Sequence, residues 1–219
     1  MSIEMIGSLI SAFWQTVVMV VMATLFAVMI GLPVGIILFI SGKKQLWEKL
    51  VFHRILGAFV NALRSIPFII LMVAIIPLTR FIVGTSIGTM AAIVPLSLCA
   101  IPFFARLTEA ALQEISGSLI EASQAMGASN WQIIWRVLIP EGLPTLVRGI
   151  TLTAVTLVGY SAMAGAIGGG GLGDLAIRYG YQRFEINVMI ITVIVLIALV
   201  QGMQHTGDWV ANKLSHYKH

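Results

Sequence analysis

Four stretches of this 219-residue chain contain no Asp, Glu, Lys or Arg: residues 13–40, 81–105, 149–173 and 186–207. Each is longer than the roughly 20 apolar residues needed to cross about 30 Å of hydrocarbon. In lipid every backbone N–H and C=O must be satisfied internally, which points these runs to helices. A fifth run, 65–79, lies between Arg64 and Arg80. It reaches spanning length by extending back to Gly57, with Arg64 snorkelling to the headgroups. The expected fold is an all-α membrane protein, a single transmembrane domain over 1–219. Its five helices lie at about 13–40, 57–79, 81–105, 149–173 and 186–207, with a long loop, 106–148, between the third and fourth. Pro33, Pro67, Pro77, Pro95 and Pro102 predict kinks in these spans, or at their edges.

Composition agrees. Charged residues make up 10% of the chain and hydrophobic ones 58%, whereas a soluble domain is about one quarter charged. The one cysteine, Cys99, allows neither an intrachain disulfide nor a cysteine-based metal cluster and reads as a small apolar residue. The net charge of +4 reflects basic loops rather than nucleic-acid binding. The segment MSIEMIGSLISAFW has no Lys or Arg, and the run after it is too long for a signal peptide, so a retained membrane helix is expected.

Five spans place the termini on opposite sides. Lys43, Lys44, Lys49 and Arg54 share a side with Arg106, Arg136, Arg148, Lys213 and Lys218; the other side holds Arg80, Arg178 and Arg183. The positive-inside rule puts the N-terminus outside, and the C-terminus and the 106–148 loop in the cytoplasm.

That loop is too long for a connector and is dense in helix punctuation. Ser118 and Glu121 have the spacing of a capping box, and Gly127 is placed to end the helix in a left-handed conformation. A second box, Ser129 with Gln132, opens WQIIWRVLI, which Pro140 is expected to stop. The first helix is too short to be stable alone. Leu119, Ser123 and Met126, with Ile120 beside them, form a face that must dock on the chain's own membrane helices or on a partner.

The segment EASQAMGASNWQIIWRVLIP resembles the cytoplasmic EAA loop of ABC importer permeases, the inner-membrane components of binding-protein-dependent transport systems. The family pattern runs Glu-Ala-Ala, three residues, Gly, nine residues, Ile-x-Leu-Pro. This chain has Glu121-Ala122-Ser123, Gly127, nine residues, then Val137-Leu138-Ile139-Pro140. VNALRSIPFIILMV, IVGTSIGTMAAIVPL and TLVGYSAMAGAIGGGGLGDLAIRYGY extend the likeness over nearly the whole chain, to permeases of methionine uptake. The resemblance implies a bacterial inner-membrane subunit that is not itself an enzyme. It pairs with a second copy and with two cytoplasmic ATPases, which bind the ATP and magnesium; the chain itself needs no cofactor. A periplasmic or lipid-anchored binding protein delivers the substrate. Leu119, Ile120, Glu121, Ala122, Ser123, Met126 and Gly127 become the residues that couple to the ATPase.

The expected pathway is weakly polar, drawn from helix four: Thr153, Thr156, Tyr160, Ser161 and Met163, with Met163 as a flexible apolar gate. The small pairs Ser161/Gly165, Ala162/Ala166 and Ala164/Gly168 allow close helix packing. Arg64 is either a site for a substrate carboxylate or a snorkelling charge. No Asp or Glu falls inside the expected spans, against a proton-coupled carrier, and no Walker A motif is present.

Gly168-x-Gly170-x-x-Gly173 matches a dinucleotide fingerprint but lacks the βαβ context and reads as a tight re-entry at the external end of helix four. GYSAM departs from the nucleophile elbow at Met163. Of the histidines, His53, His216 and His219 fall in loop or tail and His205 near a span end, so no catalytic cluster supports an intramembrane enzyme. The competing reading is a non-transport membrane protein, such as a small enzyme or a channel subunit.

Overall fold

The computed structural model describes residues 3–43 and 45–216; Lys44, Lys218 and His219 lie outside them. Among the described residues every regular element is helical. The chain runs α1 (Ile3–Ser41), α2 (Leu50–Ser65), α3 (Phe68–Ala74), α4 (Ile76–Val83), α5 (Thr89–Gln113), α6 (Gly117–Ala125), α7 (Asn130–Ile133), α8 (Ile139–Ala164), α9 (Gly171–Leu175) and α10 (Ile186–His216).

Ala23, Ala27, Gly31 and Gly35 repeat every four residues along α1. A Cβ at Gly31 would come within 2.8 Å of the Ile101 carbonyl oxygen, and one at Gly35 within 2.5 Å of that of Ala105. This seam of small residues brings α1 against α5 backbone to backbone. Since 31 meets 101 and 35 meets 105, the two helices run parallel. A Cβ at Gly142 would contact Leu112 and one at Gly149 would contact Phe104 and Leu107, so α8 runs antiparallel to α5. A Cβ at Gly207 would overlap Thr151, and Arg148 donates to Asn212 Oδ1, so α10 returns along α8. The core between them is built from Met19, Val20, Phe68, Leu96, Phe104 and Leu157. The opposite face of α1 exposes Ile6, Ile10, Trp14, Val18, Val21, Leu25 and Met29 at helical spacing, as a lipid-facing helix does.

Parallel α1 and α5 require the chain to cross back between them. The expected straight span at 57–79 is instead a broken one: α2 and α3 meet at 97°. Pro67 drives Ile66 out of the helical region to φ −77°, ψ 122°. After α3 and α4 the chain turns at Gly84 (φ 81°) and Gly88 (φ 100°). The third span therefore begins at Thr89 rather than 81 and continues past 105 to Gln113.

That extension contains Arg106 and a carboxylate, both beyond the apolar run that ends at 105. Glu109 is only 5% exposed and pairs with Arg106. Arg106 also donates to Asn61 Oδ1 (3.1 Å) and the Gly57 carbonyl (2.9 Å), fastening α2 to α5. A helix carries these charges beyond its apolar run because they neutralise one another.

Pro140 does not stop the helix begun at Asn130. Over Ile134–Leu138 the helix widens to π geometry, and the Ile139 amide donates to Ile134, five residues back. The shifted register accommodates a proline with no N–H and a ring that would crowd the preceding turn. The fourth span thus starts well before 149, in a helix that already begins with α7, and the residues between spans three and four shrink to the short stretch holding α6.

Candidate coupling surface and translocation cavity

α6 starts two residues earlier than expected. Ser116 is its N-cap, its hydroxyl lies 2.7 Å from that of Ser118, and no side chain caps the first turn. The Ser118–Glu121 capping box is therefore not formed; Glu121 is exposed. Its far end follows expectation. Gly127 has φ 79°, the Ala128 amide donates to the Ser123 carbonyl (3.1 Å) and the Gly127 amide to that of Gln124 (2.9 Å). That is the double bond pattern of a glycine-terminated helix. The second box is present in full: Gln132 N–H donates to Ser129 Oγ at 3.3 Å and Ser129 N–H to Gln132 Oε1 at 2.8 Å.

The face expected to dock is split. Ile120 and Ser123 turn inward, and Ile120 packs on Phe39, Ile40, Leu112, Ile133 and Leu138, all from the same chain. Leu119, Ala122 and Met126, spaced i, i+3, i+7, face out, with Met126 81% exposed. Asn130 Nδ2 donates to the Leu46 carbonyl (3.4 Å), tying this platform to the loop after α1. Trp131 and Trp135 stand exposed beside it, edge to face, 5.6 Å apart.

Higher in the bundle a cavity of about 230 Å³ opens between α2, α5 and α8, lined by Arg64, Cys99, Phe103, Thr153, Thr156 and Tyr160 among others. Three of the five pathway candidates therefore share one hollow with Arg64. Thr153, Thr156, Leu157 and Tyr160 occupy one α8 face at i, i+3, i+4, i+7, and Cys99 and Phe103 sit four apart on α5. The Thr153 hydroxyl donates to the Gly149 carbonyl and that of Thr156 to Leu152, each at 2.8 Å. Tyr160 stacks on Phe68 with centroids 4.8 Å apart and planes at 7°. The Arg64 guanidinium lies 5.8 Å from the Phe103 ring centre. Ser161 is buried elsewhere, its hydroxyl donating to Val158 (2.7 Å). Met163 is 47% exposed and lies outside this cavity. Cys99 and Phe103 were missed because a cysteine and a phenylalanine in an apolar run look like packing; their shared helical face was the available signal.

Beyond Ala164 the glycines form a tight turn. Gly168, Gly170 and Gly171 have φ 92°, 78° and 82°. Gly171 N–H donates to Gln15 Oε1 (2.8 Å) and Leu172 N–H to Thr16 Oγ1 (2.9 Å), so α1 supplies the caps that α9 lacks. The small residues of helix four serve this contact: a Cβ at Gly165 would come within 2.4 Å of the Asp174 nitrogen.

Residues 31–210 match the family model described as "Binding-protein-dependent transport system inner membrane component". The chain belongs to that family. As a member of this inner-membrane transport family it is a translocation component and not an enzyme. A relative from Vibrio cholerae serotype O1, described as "Probable D-methionine transport system permease protein MetI", is 55% identical and aligns over 95% of this chain and 92% of its own. A Bacillus subtilis relative, "Methionine import system permease protein MetP", is 43% identical over 80% of this chain and 79% of its own. Among solved structures, a chain of the inward-facing MetNI methionine ABC transporter superposes with a TM-score of 0.96 at 48% identity, covering 98% of this chain and 99% of that one. An amino acid ABC transporter solved with histidines shares the fold, with a TM-score of 0.78 at 14% identity over 96% of each chain.

Proposed function

We propose that this chain is the translocating subunit of an ATP-driven importer for methionine. It works as a pair of identical chains with two cytoplasmic ATPases, which bind the ATP and magnesium, and a periplasmic or lipid-anchored binding protein. The observation that carries this reading is the near-complete superposition on a MetNI chain at 48% identity.

The N-terminus lies outside, so α6 faces the cytoplasm. Leu119, Ala122 and Met126 form the stripe that enters the ATPase, with Glu121 at its edge. Ile120 and Ser123 clamp the helix to the bundle, and Gly127 turns the chain. A short helix fixed on the ends of α1, α5 and α8 passes a push from the ATPase to three spans together. Thr153, Thr156 and Tyr160 line the pathway and Met163, brought from both copies, gates it; the inward, self-bonded Ser161 serves packing.

The test is reconstitution with the cognate ATPase in proteoliposomes, with labelled methionine and the binding protein. Uptake should need both ATP and the binding protein. Methionine flux without ATP would make the chain a channel, and no methionine uptake would refute the reading.

A further inference from the structure

The cavity below Tyr160 is chemically one-sided, and that asymmetry matches one class of ligand. Arg64 supplies only hydrogen-bond donors and has no carboxylate partner among the described residues. Across the hollow, Thr156 has already given its hydroxyl proton to the Leu152 carbonyl, and Thr153 behind it, only 1% exposed, is spent on Gly149 in the same way. What the Thr156 oxygen retains is lone pairs, so it faces the cavity as an acceptor only. Donors at one wall and a spent hydroxyl at the other fit a zwitterion, carboxylate towards Arg64 and ammonium towards Thr156. The remaining wall, Cys99, Phe103 and Tyr160, is apolar, polarisable and aromatic, the surroundings a thioether prefers.

Resting on the methionine-permease reading, we infer that this cavity is a seat for the free amino acid within the membrane domain. Arg64 holds the α-carboxylate, and Cys99, Phe103 and Tyr160 receive an unbranched apolar side chain. The seat also has a door. Tyr160 is stacked on Phe68, the first residue of α3, directly after the break at Pro67. Movement of the α3 arm separates that stack and changes the cavity wall, so occupancy and the position of the broken span are linked. Arg64 lies on the other side of the same break, on α2, and the carboxylate therefore touches the hinge from one side while the side chain touches it from the other.

Cys99 is the chain's one cysteine, and it is only half-buried in this wall, which makes it a reporter. The experiment uses the complete transporter with its ATPase, without ATP, and follows modification of Cys99 by a small methanethiosulfonate through the intact mass of this chain. Methionine should slow the reaction, and 3-(methylthio)propylamine, which lacks the carboxylate, should not. Arg64→Gln should raise the half-protecting methionine concentration about tenfold, the loss expected for one charge-assisted hydrogen bond, while Arg64→Lys retains most of the protection. If Arg64→Gln fails to assemble, the amine comparison on the unaltered protein decides the same point. Equal protection by methionine and the amine overturns the carboxylate assignment. An unprotected Cys99 in a complex that still imports methionine overturns the seat and leaves the permease reading standing. A complex that imports no methionine removes that reading itself.

Discussion

Gly173 lies against Ala162 with no room for a side chain: a Cβ at Gly173 would come within 2.3 Å of the Ala162 Cα. The obstacle is backbone, so it cannot rotate away. Gly173→Ala must part α9 from α8 and also disturb the Gln15 and Thr16 caps. It should abolish assembly or lower the melting temperature sharply. Gly202→Ala, with nothing within 4 Å in this chain, should be neutral or gain up to about 1 kcal/mol from helix propensity. Fluorescence-detected size exclusion after heating compares the two.

Gly127 tests the coupling role without a packing effect. A Cβ there meets nothing within 4 Å, but φ is 79°. Gly127→Ala should cost on the order of 1 kcal/mol locally, and Gly127→Asn less. Both proteins should be abundant in the membrane, with methionine uptake per ATP lowered in the order Ala below Asn below Gly. Equal uptake in all three would show α6 to be a plain connector.

Glu121 gives a sharper version of that test. Because it caps nothing in this structure, Glu121→Ala should leave thermal stability unchanged. Any fall in transport then reports a contact with the ATPase. A fall in stability of more than about 1 kcal/mol, the size of a lost cap, would show that the capping box forms after all.

Arg106 and Glu109 are predicted to act as a unit. Glu109→Ala leaves a guanidinium held by Asn61 and Gly57 without its counter-charge, and should cost several kcal/mol. The double variant Arg106→Met with Glu109→Leu should recover much of that loss. A double-mutant cycle on thermal unfolding measures the coupling; strictly additive losses would dissolve the unit.

Orientation is checked with single cysteines in a Cys99→Ala background. A cysteine at Gln182 should react with an impermeant thiol reagent in intact cells, and one at Ser215 should not; the reverse pattern inverts the topology. In the same reconstituted system Met163→Ala should leak solute in the absence of ATP. A variant as tight as the parent, with unchanged uptake per ATP, would exclude Met163 as the gate.

Lipid made the spans readable, because hydrocarbon tolerates no long polar helix, and four uninterrupted runs announced themselves. Span ends were less readable because charge is a poor boundary when charges pair: Arg106 looked like the start of a loop, yet with Glu109 it lies inside α5. Pro140 looked like a stop because a π turn leaves no compositional trace. Gly127 and the Ser129–Gln132 box were legible since each solves a local backbone problem. The Ser118–Glu121 box had the right spacing but was pre-empted by Ser116, which only the geometry of the α5–α6 turn decides. Arg64, Thr153, Thr156 and Tyr160 are each legible by residue type and position; their meeting around Cys99 and Phe103 depends on how α2 folds back at Pro67.

The parallel arrangement of α1 and α5 has a consequence for biogenesis. Two strong spans pointing the same way cannot be threaded one after the other unless the chain between them crosses in the opposite sense. Here that chain is weak. α2 carries Arg54 and Arg64, and α3 and α4, with 7 and 8 residues, rise only about 10–12 Å each. Neither is a self-sufficient insertion signal. The direction of α5 must then be imposed by its own two ends, uncharged at the Gly84–Gly88 turn that precedes it and basic at Arg106 within its last turns, with the arm drawn across as α5 enters. The seam of Ala23, Ala27, Gly31 and Gly35 closes only after that crossing, which makes it a late checkpoint on whether the newly made chain has been threaded correctly.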